Sequence, residues 1–258
     1  MDTSDISKAQ GHWILAKMGK KVLRPGGREL TNKLINGLSI STTDDVVEFA
    51  PGLGYTAALT ISKHPKTYTG VDADLEAAKR LKKIINKNGC QIIHGNAAET
   101  SIDTGCKTKV YGEAMLTMHA DHRKSEIIKE AHRILKKGGL YAIHELGLTP
   151  NTISEELKAT IQKDLALSIK VNARPLTEKE WSDLLEKEGF RIKSIDTNAM
   201  NLLEPSRIIQ DEGFFGALKI GFNILTHSDA RKRILEMKSV FRKHAKHMNS
   251  VAIVAEKM

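Results

Sequence analysis

The stretch from Val46 to Thr56 reads VVEFAPGLGYT: an apolar run, the acid Glu48, and a loop carrying Gly52 and Gly54. Glycines in such a turn let the backbone come close to a ligand. A pyrophosphate loop needs Gly-x-Gly-x-x-Gly. Here Ala50 takes the first glycine's place, and bulky Tyr55 stands three residues after Gly52. No Lys-Ser/Thr pair follows the glycines, which excludes a Walker loop for a nucleoside triphosphate. An acid at the end of the strand suits a cationic ligand and repels a phosphate. Asp72 lies 20 residues past Gly52, at the end of the run YTGVD. A carboxylate there can take both hydroxyls of a ribose. Asn96, in the turn HGNAAE, offers a donor and an acceptor to an adenine edge. These three pieces describe a nucleoside without a pyrophosphate and with a cationic tail.

A second set of residues falls where the chemistry of a doubly wound sheet sits, beyond the carboxyl ends of the strands. Glu113 and His119 follow one apolar run, and His144-Glu145 close another. Glu113 either touches a ligand or supports one through hydrogen bonds. His119 and His144 are candidate bases or acceptor contacts, against the plainer reading of packed or surface histidines. Glu145 has the same standing. Their spacing matches no firm metal-ligand pattern, so no metal site is assigned and a metal stays a weak alternative to a general base.

The elements that must position these residues alternate along the chain. Short β-branched runs are expected as strands at 46–49, 68–72, 91–94, 110–116, 140–146, 190–195 and 250–255. Helical spacing separates them, as in Leu75, Ala78, Leu81 and Ile85. Gly138-Gly139 is expected to cap the helix over 125–137. Thr177 to Glu180 reads as a capping box before Trp181. The pattern predicts an α/β fold in one domain over 1–258: a doubly wound, seven-stranded, mostly parallel sheet with helices on both faces. Residues 1–43 form an N-terminal helical segment, 44–148 the core with the ligand loops, and 149–258 the other half of the sheet. Residues 201–249, between strands six and seven, are too long to be slack and read as a helical lid.

Four motifs in this order carry a resemblance. The run E-x-A-P-G-x-G, the acid ending strand two, the turn G-N-A after strand three and R-x-L-K-x-G-G before strand five resemble class I methyltransferases that use S-adenosylmethionine. Among these the chain is similar to the small-molecule branch around ubiquinone and menaquinone methyltransferases. The resemblance covers about Asp44 to Leu148, and the strand order extends it. It implies Glu48, Ala50, Gly52 and Gly54 around the methionine moiety, Asp72 and Ala73 at the ribose, Asn96 and Ala97 at the adenine, and Glu113 near the cofactor's ammonium or the acceptor. Ala50 replaces a usual Gly and makes the turn less permissive. Asn96 replaces a usual Asp and keeps the acceptor. Glu113 stands where a small polar residue is more usual. The segment before the sheet often closes over the cofactor in the family, with Arg24 then facing an acceptor's acid group.

The 258 residues carry 40 Lys and Arg against 31 Asp and Glu, a net charge of +9. That balance favours acidic partners without naming one. Cys90 and Cys106 form no CxxC and fit a reducing cytosol; the polar start is unlike a signal peptide, and a cytoplasmic location is expected. The run EGFFGALKIGFNIL at 212–225 is expected to wall an apolar pocket or pack on the sheet. The basic helix over 228–248 is a solvated face or a weak contact with a membrane surface. The expected function is methyl transfer to a small acceptor of apolar or anionic character, by in-line displacement. An RNA or protein methyltransferase, a non-enzymatic adenosyl-ligand binder and an NAD-type oxidoreductase stay open beside it. The strand-four run EAMLTM lacks the N/D-P-P-Y/F form used on base amino groups, so no strong sign of nucleic acid remains. The acceptor's nucleophilic atom and the oligomeric state stay open.

Overall fold

The computed structural model describes residue 6, residues 8–85 and residues 87–258. The earliest part of the expected N-terminal segment, residues 1–5 and 7, lies outside the described residues. The strands are β1 (Asp45–Phe49), β2 (Thr67–Asp72), β3 (Cys90–His94), β4 (Lys107–Glu113), β5 (Leu135–Leu148), β6 (Leu176–Thr177), β7 (Phe190–Ala199) and β8 (Met248–Lys257). They lie in the order β3-β2-β1-β4-β5-β8-β7, with the two-residue β6 paired to the end of β5. Neighbours from β3 to β5 are parallel, whereas β8 runs antiparallel to both β5 and β7. The chain reverses its strand order at β1 and β4, and the crevice of such a sheet opens there.

Nine helices are described: α1 (Gly11–Lys17), α2 (Gly27–Leu38), α3 (Tyr55–Ile61), α4 (Leu75–Ile84), α5 (Asp121–Ile134), α6 (Glu155–Ile169), α7 (Glu178–Lys187), α8 (Pro205–Thr226) and α9 (Ser228–Lys243). α5 and α7 cover one face of the sheet through Ile127, Ile128, Ile134, Trp181 and Leu185. α2 covers the other through Leu30, Leu34 and Leu38, and α3 and α4 extend that face through Ala57, Ile61, Ala78 and Leu81. A separate apolar cluster joins α1, α6 and α9 to Leu146 and Leu148 at the end of β5. This helical cap stands over the carboxyl ends of the strands.

Helix starts follow local chemistry. Asp74 accepts from the N–H groups of Glu76 and Ala77 at α4, and Thr177 and Glu180 bond reciprocally at α7 as the capping box requires. One expected stop fails. α5 ends at Ile134 rather than at Gly138-Gly139, because Leu135 is already extended and pairs with Lys107. The two glycines lie inside β5, where the register with β4 shifts between Lys107 and Lys109 and Gly138 takes φ 74°. β6 makes the sheet eight-stranded rather than seven-stranded, and the expected strand at 110–116 ends at Glu113, with Leu116–Met118 in a short 3-10 turn.

The lid expectation also changes. α8 and α9 do connect β7 to β8, but Phe214, Phe215, Leu218, Phe222 and Leu225 are exposed and stand outside the apolar clusters that pack on the sheet. α9 buries Ile234, Met237 and Phe241, as its apolar spacing predicts, and leaves Leu235 exposed.

Candidate active site

The loop after β1 is shaped by left-handed backbone. Ala50 has φ 53°, Gly52 φ 54° and Gly54 φ 82°. The missing first glycine therefore has a conformational cost, since an alanine there is strained by about 1–2 kcal/mol. Gly54 starts α3, and a Cβ on it would come within 2.4 Å of Leu81 Cδ2. Its role is helix packing, and it does not line the cleft. Gly52 N–H donates to Asp72 Oδ2 at 2.9 Å, and Asp74 N–H donates to Asp72 Oδ1 at 2.9 Å. Asp72 thus ties the β1 loop to the β2 loop.

A cleft of about 500 Å3 opens beside these loops, within the range of roughly 300–1,000 Å3 common for small-molecule sites. Ala50, Gly52, Asp72, Ala73, Asn96 and Ala97 line it, together with Glu113 and His119. Asn96 Oδ1 accepts from Ala98 N–H at 3.0 Å, so the oxygen expected to meet an adenine amine already has one donor. From the N-terminal segment, His12, Trp13, Lys21 and Arg24 complete the wall.

Glu48 is not among the lining residues. It is buried beneath the loop, where Tyr68 OH donates to its Oε2 at 2.5 Å and Tyr111 OH at 2.8 Å. Burial pushes its carboxyl up to about 7; the two tyrosine hydrogen bonds oppose this, and the nearby charge of Glu113 adds to it. The expectation that Glu48 meets the methionine moiety is therefore corrected: Glu48 is the register partner of Tyr111 on β4, and its carboxylate meets Tyr111 and Tyr68 on the face that α2, α3 and α4 cover.

Glu113 closes β4 and is the hub of a buried network. Arg24 donates to its Oε2 at 2.5 Å, and Thr56 Oγ1 donates to the same oxygen at 2.5 Å. Thr31 Oγ1 donates to Oε1 at 2.7 Å, and His144 Nδ1 lies 2.8 Å from Oε1. Burial alone would raise this carboxyl, but the Arg24 charge and the His144 bond outweigh it and hold it at about 2. Arg24 also bonds Thr56 Oγ1 and lies 5.3 Å from the Tyr55 ring centroid. It is therefore paired with Glu113 where it lines the cleft, and the segment carrying it passes beside the start of α3.

His144 is fully buried and outside the cleft lining. Its Nε2 faces the Pro25 carbonyl at 2.5 Å while Nδ1 faces Glu113. Both ring nitrogens are engaged by acceptors, so His144 as placed has no vacant nitrogen to take a substrate's proton. Glu145 is buried too. Its oxygens accept from the N–H groups of Met115, Leu116 and Thr117 at 2.8–3.0 Å and from Thr117 Oγ1 at 2.7 Å. It clamps the turn that carries Ala114 and Met118. His119 does reach the cleft, and burial, with Arg123 and Lys124 nearby, lowers its pKa below the ordinary 6.5.

A second, smaller cavity of about 90 Å3 adjoins the cleft. Leu165, Ile169, Met200, Leu202, Met237 and Phe241 form its outer wall. His12, Leu23, Ala114 and Met118 line both spaces and form the neck between them. Among the described residues lining the small cavity, His12 is the only ionisable one. Burial lowers its pKa below 6.5, and Asp74 offsets part of that effect. Sequence reasoning passed over His12. A lone histidine in GHWILAK gives no sign of its position, although the adjacent Trp13 and the expected closure of this segment over the cofactor were the available signals. Among the described residues no group of three or more His, Cys, Asp or Glu side chains could hold a metal ion.

The comparisons agree with this geometry. A family described as a methyltransferase domain matches residues 47–143, which span β1 to most of β5. An uncharacterized protein of Haemophilus influenzae is 32% identical over 251 residues, covering 96% of this chain and 98% of its own length. The chain belongs to the class I S-adenosylmethionine-dependent methyltransferases. O-methyltransferase 12 of Dictyostelium discoideum is 25% identical over 174 residues, which cover 66% of this chain and 45% of that one. The fold is shared with Haemonchus contortus phosphoethanolamine N-methyltransferase 2, solved with phosphomonomethylethanolamine and S-adenosylhomocysteine. The TM-score is 0.70 at 17% identity, over 96% of this chain and 57% of that chain. The chain is thus an S-adenosylmethionine-dependent enzyme, and the binder and oxidoreductase readings fall away. The cleft residues fit that cofactor: a carboxylate at the end of β2, an amide after β3, and a glycine loop with no lysine to receive a phosphate.

Proposed function

We propose that this methyltransferase modifies a small acceptor with an apolar body, seated in the cavity between α1, α6 and α9. The observation that supports this is the composition of that cavity: among its described lining side chains only His12 ionises, and Thr117 already donates its hydroxyl to Glu145. In this reading Asp72 and Ala73 hold the ribose, Asn96 and Ala97 the adenine, and Ala50 and Gly52 the methionine end. The bound cofactor supplies a methyl group on a sulfonium whose positive charge disappears on transfer. The chain's part is to position the acceptor in line at the neck and exclude water. An acceptor hydroxyl, thiol or acidic carbon must also lose a proton. His12, neutral near pH 7 and at the neck, is the base this arrangement offers, with His119 on the cleft side.

The test is methyl transfer from labelled S-adenosylmethionine to a fractionated cell extract. The label should enter organic-soluble products. Leu202→Arg, which places a charge in the cavity wall, should abolish transfer and leave cofactor affinity unchanged. Label confined to water-soluble or RNA fractions would defeat the reading. His12→Asn should lower kcat by roughly 100-fold or more if His12 takes the proton. The kcat/KM of the unaltered enzyme should rise with pH through a value below 6.5 and then level, since the base works unprotonated.

A further inference from the structure

The second half of α8 turns its largest side chains away from the protein. Phe214, Phe215, Leu218, Phe222 and Leu225 are 61%, 84%, 55%, 66% and 67% exposed. Spacings of four, four and three from Phe214 place Leu218, Phe222 and Leu225 on one helical stripe. The opposite side of the helix is fixed: Ile220 is buried, and Asn223 Nδ2 donates to the Met18 carbonyl at 2.9 Å. The stripe is thus the outer face of an anchored element. Gly213, at φ 75° and ψ 168°, breaks α8 immediately before it.

The charges around this face have one sign at its centre. From Phe214 to Thr226 the only charged side chain is the exposed Lys219. Arg231, one turn into α9, donates to the Leu225 carbonyl at 2.9 Å, so a cation stands at the end of the stripe, with exposed Lys232 beside it in sequence. The acids of α9 are Asp229 and Glu236, and Glu236 lies 3.8 Å from Arg233. Farther along α9, Arg242 and Lys243 are matched by Glu204 and Asp164.

Soluble chains rarely leave so continuous an apolar stripe open without a partner. An apolar helix face edged by cations fits the headgroup region of an anionic bilayer. A second copy of the chain fits it less well. Pairing two stripes about a two-fold axis would bring Lys219 toward its own image, with no acid from 214 to 226 to oppose it. We propose that the outer face of α8 seats this enzyme on an anionic lipid surface, its phenylalanines entering the interface and Lys219, Arg231 and Lys232 meeting headgroups. The contact lies chiefly on α8, not on the whole basic helix 228–248. It is independent of the acceptor's identity.

Flotation with vesicles tests it. The full chain should float with vesicles of phosphatidylglycerol and phosphatidylethanolamine, and less with pure phosphatidylcholine. The double variant Phe215→Asp/Phe222→Asp should bind anionic vesicles at least about tenfold more weakly. Lys219→Gln/Arg231→Gln/Lys232→Gln should lose the preference for anionic lipid. Both variants alter exposed positions, and unchanged S-adenosylmethionine titrations will establish that they are folded. The proposal is overturned if the unaltered chain stays in the soluble fraction or if the phenylalanine variant floats equally well. It is also overturned if ultracentrifugation shows a dimer that this variant breaks while vesicles bind neither form.

Discussion

Glu48 and Glu113 are buried on neighbouring strands and are driven in opposite directions. Glu48 ionises near pH 7, so its folded pKa lies above the unfolded value near 4.5. As pH rises from about 4.5 to about 7, the unfolded chain gives up this proton first, and stability falls across that window. Glu48→Gln should flatten that slope and raise Tm at pH 8, by up to roughly 3 kcal/mol in stability; an unchanged slope would contradict the account. Glu113, held at about 2, contributes the reverse: its stabilisation is full above pH 4.5 and is lost as pH falls toward 2. Asp72→Ala should weaken S-adenosylmethionine binding by roughly 1–3 kcal/mol in calorimetry, since a charge-assisted acceptor is lost. The position of Asp72 and Asn96 at the cleft was legible in the sequence because strand ends follow from topology. The direction of Glu48 was not. β1 is apolar on both faces, so its alternation does not say which side chains meet the cleft.

Between elements, the N-terminal segment is the least legible part and the most consequential. Its folding over the cofactor loop depends on partners about 190 residues away. Asp211, in the first half of α8, accepts from Lys20 Nζ at 3.2 Å and from Arg28 N–H at 2.8 Å, while Glu212 accepts from the N–H groups of Lys21 and Val22. α8 thereby holds the loop from which Arg24 reaches Glu113. No local periodicity encodes such pairings. Most strands and the capping box were read correctly in outline because each depends on a few adjacent residues, whereas the Gly138-Gly139 stop failed because Leu135 already pairs with Lys107 in the sheet. α8 was misread because an apolar stripe normally marks the core side, and here a second apolar side faces outward. Arg24→Ala should destabilise the enzyme by roughly 3–5 kcal/mol, lessened by water entering from the cleft, because it strands a buried carboxylate. Thermal unfolding measures this, and hydrogen exchange should quicken in residues 18–28.

At the scale of the molecule, the sheet supplies a cleft at the ends of β1 to β4, and the helical cap supplies an apolar cavity. Among the described residues, His12, Leu23, Ala114 and Met118 line both spaces at the neck. No helix among the described residues is long and apolar enough to cross a membrane. The account makes the neck the place of transfer. A crystal structure with S-adenosylhomocysteine tests that most directly. The ribose should lie on Asp72, the adenine on Asn96 and Ala97, and the sulfur at the neck, facing the apolar cavity. A sulfur turned away from His12 and Met118, toward open solvent, would contradict it.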